Sequence, residues 1–366
     1  MALVAGLTIG SVPVLIGSLQ ITQLPASTAS SEASATDSAA PAAPEFRIRQ
    51  RLTLINDYLA VAWSGPLPAA TFVIKQLRKL AGDTPISANV LESFLKSVQQ
   101  DRHLSQLALI GIRVETAERA VLFGWGVQRG ELTERRWRYL CEPSAHEYFR
   151  LAASQFVELL SNGDALLRSI SIANALASAF LVREDGIDQQ IRTRASNPLL
   201  VLQGGGYETA VLHNGRLRKV PAVFNFWHAR LEDKWTGVDA PTLVIKRDYA
   251  DGRLLLRWGW AKPFGKQIIL PLDQQQCMVV SEADDFTTPQ DLESKHWPSF
   301  HSDIECHEIF VTDSDSGLRI STLTHQCTTE LDRDIRFAEQ PDGAWTRGRL
   351  ATATPRKIIA AANRLR

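Results

Sequence analysis

The sequence has few cysteines and no surplus of charge of either sign. Cys141, Cys277, Cys306 and Cys327 are the only four in 366 residues, and they are scattered. That spacing argues against a disulfide framework and for a reducing compartment. Forty Lys and Arg balance forty Asp and Glu, so no bulk field draws the chain to nucleic acid or to an anionic membrane. The first twenty residues contain no Lys or Arg. The apolar stretch over 1–21 therefore lacks the positive start of a secretory signal, although Ala33-Ser34-Ala35 has the form of a cleavage site. Gly6, Gly10, Pro13 and Gly17 divide that stretch into pieces that suit strands better than a spanning helix. A cytoplasmic protein without membrane or nucleic-acid partners is expected.

What is present is a chain long enough for two domains. Apolar runs over 3–9 and 12–22 predict two strands around a Gly-Ser turn. Residues 25–44 are almost wholly Ala, Ser, Thr and Pro, which predicts a solvated insertion with too little apolar surface to order itself. Ile48, Leu52, Leu54 and Ile55 then predict one strand, Asn56-Asp57 a turn, and residues 58–63 a second strand. Gly65, Pro66 and Pro68 break the strand, and Leu67, Val73, Ile74, Leu77 and Leu80 recur at helical spacing. Thr84 is the expected cap of a second helix carrying Leu91, Phe94, Leu95 and Val98. Strands are expected over 107–114, 121–125 and 137–140, and helices over 148–160 and 166–181. Strands return over 199–203, 209–213 and 219–226, with Asn214-Gly215 as a hairpin turn. Beyond Asp239, three pairs of short strands flank turn sequences, and a basic helix over 355–366 closes the chain.

The hairpin ending in Trp63-Ser64-Gly65, the helix after it, and the upstream run Gly10-Ser-Val-Pro-Val-Leu-Ile-Gly-Ser-Leu-Gln-Ile-Thr22 resemble a known arrangement. They are similar to the front of a proteasome-type subunit of the N-terminal-nucleophile (Ntn) hydrolase superfamily. The resemblance implies an α+β fold over 1–238: a four-layer αββα sandwich with two sheets inside and helix pairs outside. A small β-rich domain over 239–366 would follow. The family needs a Thr, Ser or Cys at the mature N-terminus, an Asp after the second strand and a Lys near the start of the third. Here Ala2, Ser18 and Gln50 stand at those positions, and only Gly65, whose N–H would help hold an oxyanion, matches. The expectation is a non-catalytic relative that associates with itself through its helices and acts as a scaffold, with a peptide or protein as the partner class. Its rivals are an active Ntn peptidase or amidohydrolase with an unidentified nucleophile, and an exported binding protein. Gly10-Ser11 has the form of a self-cleavage site, but cleavage there would discard the first strand.

Other motifs point to no cofactor and no metal. Gly204-Gly205-Gly206 precedes a strand, whereas a phosphate loop needs a helix N-terminus. Asp313-Ser-Asp315-Ser-Gly317 opens like a calcium loop, but Thr324 stands where the late Glu is needed. Cys306, His307, His325 and Cys327 form the one metal-like set. Adjacent Cys306 and His307 point to opposite faces of a strand, so a structural role is expected for all four. Phe226-Trp227, Trp235, Trp258 and Trp260 are expected to pack where the two domains meet.

Overall fold

The structure is a computed structural model and describes residues 4–9, 12–23, 46–99, 104, 106–126, 133–134, 137–140, 164–185, 206–231, 236–250, 252–282, 297–313, 317–339 and 345–364. The expected insertion over 25–44, helix over 148–160 and strand over 199–203 lie outside the described residues.

β1 (Val4–Ile9) and β2 (Val12–Gln23) pair antiparallel, as their apolar runs predict. The next run bends at Arg51. Its front half, β3 (Phe46–Gln50), pairs with β2, while β4 (Leu52–Asn56) turns back into β5 (Leu59–Ser64). One expected strand therefore serves two sheets. β5 is buried on both faces and sorted by size. Leu59, Val61 and Trp63 face a helix pair, and Ala60 and Ala62 face another sheet. Small residues on one face let the second sheet approach closely, and the large ones fill the space under the helices.

α1 (Leu67–Ala81) starts after Pro66 with Pro68 in its first turn, where a missing N–H leaves no bond unmade. α2 (Ala88–Gln99) is capped by Ser87, whose hydroxyl accepts the Val90 N–H at 3.3 Å. Thr84, the expected cap, instead closes the interhelix turn by donating to the Ala81 carbonyl. Val73, Ile74 and Leu77 of α1 and Leu91, Leu95 and Val98 of α2 cover β5, β6 (Ala108–Thr116) and β7 (Arg119–Gly126). With β8 (Thr133–Glu134) these strands form a five-stranded sheet in the order β4-β5-β6-β7-β8.

β9 (Trp137–Leu140) pairs with β1. Asp164 caps α3 (Ala165–Asp185) by accepting the Leu166 N–H at 2.7 Å. β10 (Tyr207–His213) and β11 (Arg216–Lys219) join through Asn214 (φ 50°) and Gly215 (φ 75°), the two left-handed residues that a type I′ hairpin requires. These strands complete a six-stranded sheet, β11-β10-β2-β1-β9 with β3 on β2. Leu15, Leu52, Ala60, Ala62, Ile110 and Leu122 fill the space between the two sheets.

The strand expected over 219–226 is broken at Pro221, which has no N–H for a ladder. Lys219 ends β11, and β12 (Ala222–Leu231) enters a different sheet. β13 (Thr236–Val238), β14 (Leu243–Ala250), β15 (Arg253–Trp260), β16 (Lys262–Phe264), β17 (Gln267–Pro271), β18 (Gln275–Val280), β19 (Ile304–Asp313), β20 (Gly317–Gln326), β21 (Ile335–Glu339) and β22 (Trp345–Leu350) follow, then α4 (Thr354–Asn363). The seven-stranded sheet runs β18-β15-β14-β12-β19-β20 with β13 on β12, and the four-stranded one β16-β17-β22-β21.

The four-layer αββα sandwich is not what this chain builds. Among the described residues, those in strand are more than twice those in helix, and they form four antiparallel or mixed sheets with four helices. One described helix, α3, lies on the outer face of the six-stranded sheet, and that core continues into Phe224, Ile245, Leu256 and Trp258 of the seven-stranded sheet. β12, which precedes residue 238, is an inner strand of that sheet. The reason is visible in its residues. Phe224 and Phe226 load one face and Val223, Trp227 and Ala229 the other, so the strand is covered on both sides. Its far side carries β17, β21 and α4, through Ile268, Leu270, Ile335, Phe337 and Ile358. No helix among the described residues is long and apolar enough to cross a membrane.

Gly65 offers a direct check of this packing. Its φ is 121°, and a Cβ there would stand 2.5 Å from the Gln106 carbonyl oxygen. Gly65→Ala is expected to lower stability by about 2 kcal/mol or more. A urea midpoint equal to that of the parent protein would refute the placement of Gly65 against Gln106.

Candidate functional site

The pairing of β2 with β3 sets Leu19 opposite Gln50 and so makes Ser18 and Gln50 near neighbours. Both are buried. The Gln50 side chain is fully used. Its amide nitrogen donates to the Val280 carbonyl at 2.5 Å and to that of Gly252 at 3.3 Å, and its oxygen accepts from the Lys219 ammonium. The Gln50 backbone N–H adds a bond to the Ser281 carbonyl at 3.1 Å. Lys219, the last residue of β11, also meets Glu208 at 3.1 Å and Glu282 at 3.4 Å. The second oxygen of Glu282 pairs with Arg78 of α1. Residues from β3, β10 and the segment after β18 thus converge on the ammonium group of β11, and α1 joins them through Glu282.

Burial is the main influence on Glu208 and raises its pKa. The Lys219 ammonium opposes that shift and the Glu282 carboxylate adds to it. Burial, and after it the Glu208 charge, push the Tyr249 phenol well up, so it stays protonated beside the cluster. A cleft of about 700 Å³ opens above these groups. Arg78, Arg218, Lys219 and Arg253 line it, with Asp57 and Glu282 as the carboxylates among the described residues. Asp57 is paired with Arg216 at 3.0 Å.

Among the described residues the lining contains no Ser, Thr, Cys or His. Lys219 donates to three oxygens and so presents no lone pair for attack or proton abstraction. The same ammonium occupies the space between Glu208 and Glu282, which leaves no room for a cation. What the cleft can do is hold an anion by charge-assisted hydrogen bonds.

Of the expected site residues, Ala2 and Ser11 lie outside the described residues. Ser18 and Gln50 come together, and Gly65 packs against Gln106 away from the cleft lining. Gly206 fits tightly over Leu19, as a close approach at a sheet edge requires. Asp313 and Gly317 face each other across a hairpin. The metal-like set is split: the Cys306 thiol faces Asn174 of α3 at 3.0 Å, and His307 faces Trp227 on the opposite side of β19. Cys306 and Cys327 are free thiols.

Arg78, Glu208, Lys219 and Glu282 were not singled out from sequence. Their separations in the chain run from 11 to 204 residues. One signal existed. The Asn-Gly turn sets the β10–β11 register and puts Glu208 within reach of Lys219. No known protein family matches this chain, and no curated protein matches it in sequence.

The raised pKa of Glu208 has a defined consequence for stability. Below the ordinary value of 4.5 its carboxyl is protonated in both folded and unfolded chains. As pH rises from there the unfolded chain ionises first, so stability falls until the folded-state pKa is passed. Glu208→Gln is expected to flatten that decline. Urea midpoints measured from below pH 4.5 through the alkaline range test this, and an unchanged slope in the variant would contradict it.

Proposed function

We propose that this protein binds a small anion, a carboxylate or phosphate compound, in the cleft above Lys219 and does not hydrolyse it. The observation that carries this reading is the gathering of Arg78, Arg218, Lys219 and Arg253 around a cleft whose lining, among the described residues, has no Ser, Thr, Cys or His. The absence of catalysis expected from Ala2, Ser18 and Gln50 belongs to the same proposal. Ala2 has no nucleophilic atom, and the Gln50 amide is committed to Lys219 and two carbonyls. The free buried thiols of Cys306 and Cys327 support a reducing compartment such as the cytoplasm.

A second reading concerns association of copies through α1 and α2. Five large apolar side chains are exposed among the described residues. Three of them, Phe72, Leu80 and Val90, lie on these two helices.

Titration calorimetry with inorganic phosphate and with succinate at low salt tests the first reading. Binding is expected to weaken about tenfold or more in Arg218→Ala, an exposed change that leaves the core intact. Salt should weaken it further. Failure of both anions to bind, or covalent labelling of the chain's N-terminus by an electrophile that captures Thr or Ser, would overturn the reading. Sedimentation velocity tests the second: Phe72→Glu is expected to shift any oligomer toward monomer, and a parent protein that is monomeric throughout would exclude it.

A further inference from the structure

At the opposite edge of the seven-stranded sheet, β19 and β20 pair so that Glu305 lies across from His325. Cys327 follows just beyond the end of β20, and the loop into β21 brings Asp334 over the same face. The ligand atoms of Glu305, His325 and Cys327 lie within 4.8 Å of one another. Glu305 Oε2 is 3.5 Å from His325 Nε2 and 3.7 Å from the Cys327 sulfur. Atoms bonded to one tetrahedral ion at about 2.0–2.3 Å stand roughly 3.3–3.6 Å apart. The cluster is therefore close to ligand spacing before any ion is added.

We propose that Glu305, His325 and Cys327 form a binding site for a divalent transition metal of the zinc class. The donor set is one carboxylate oxygen, one imidazole nitrogen and one sulfur, which selects a borderline cation over magnesium or calcium. Neither ring nitrogen of His325 makes a hydrogen bond, although both are shielded from solvent. An imidazole so placed lacks partners that an ion would supply. Glu305 is already aimed. Its Oε1 accepts from Asn225 and from the Ile335 N–H, both at 3.1 Å, and its Oε2 accepts the Asp334 N–H at 2.8 Å.

The surrounding groups favour the same three ligands. With Nε2 on the metal, the other His325 nitrogen faces Asp334 Oδ2 at 3.5 Å, the carboxylate–histidine arrangement that orients a ligand ring. Burial alone would raise Asp334. Hydrogen bonds from His307 and Lys357 outweigh it and hold that carboxyl well below its ordinary range, so it is present as an acceptor. His307 itself cannot be a ligand here. The Trp227 indole N–H donates to its Nδ1 at 2.9 Å, which puts the His307 proton on Nε2, where it is given to Asp334 at 3.1 Å. Both of its nitrogens are occupied, and its role is to position Asp334. Burial and the Glu305 charge push the Cys327 thiol up to about 12, so without a cation beside it this group is an inert thiol. Three protein ligands leave the fourth tetrahedral position to water, and His325 lines a cleft of about 540 Å³ from which water can reach it.

Cobalt(II), a spectroscopic stand-in for zinc, tests the site on the full chain after chelator treatment. One cobalt per chain is expected, with a thiolate-to-cobalt charge-transfer band and intense tetrahedral visible bands, and one equivalent of zinc should displace both. Cys327→Ser should abolish the charge-transfer band, and His325→Gln should weaken cobalt binding by at least about tenfold. No charge-transfer band in the parent protein would overturn the proposal whether or not the variants fold. So would a band that survives in Cys327→Ser, which would place the metal on another cysteine.

Discussion

The buried Lys219 ammonium is the point on which the two halves of this molecule depend. It holds Gln50 of the six-stranded sheet, Glu208 of the same sheet, and Glu282 beyond the last strand of the seven-stranded sheet. Glu282 in turn holds Arg78 of α1. A charge taken out of water is costly unless every neighbour compensates it, and removing one partner leaves the others stranded. The cluster thus works as a geometric constraint more than as a source of stability. It is satisfied only when α1, β3, β11 and the end of β18 are all in register.

Around that constraint, packing follows the size of alternate residues. Ala60 and Ala62 let the five- and six-stranded sheets close on each other, while Val61 and Trp63 reach the helix pair. β12 is apolar on both faces and becomes an inner strand with cores above and below it. Four apolar clusters separate the layers from α1 and α2 through to α4. Trp258 and Trp260 sit in the one between α3 and the seven-stranded sheet.

The two polar centres lie at opposite edges of the seven-stranded sheet and solve burial differently. Near the β18 edge, unlike charges neutralise one another around Lys219. Near the β20 edge, His307 is held between Trp227 and Asp334, while His325 is left without a hydrogen bond. The first centre is complete within the protein, apart from the cleft above it. The second brings the ligand atoms of Glu305, His325 and Cys327 within 4.8 Å of one another.

Much of the local structure was legible from sequence, because it rests on interactions between residues near in the chain. The Asn214-Gly215 turn, the proline start of α1, the helical spacing of Val73, Ile74 and Leu77, and the alternation of Cys306 and His307 each follow from backbone geometry over a few residues. The breaks at Arg51 and Pro221 were not read, since each splits one apolar run between two sheets and the run itself looks continuous. Fold class was misjudged for the same reason. Strand order cannot be read from strand existence, and only tertiary pairing placed β12 between β14 and β19. The sites followed that rule most strictly. Sequence alone determined that Ala2 carries no nucleophile and which residues could bear charge or bind metal. Folding decided that Lys219 would meet Glu282 and that Glu305 would meet His325. Those contacts join residues 63 and 20 positions apart, a separation that only sheet registration closes.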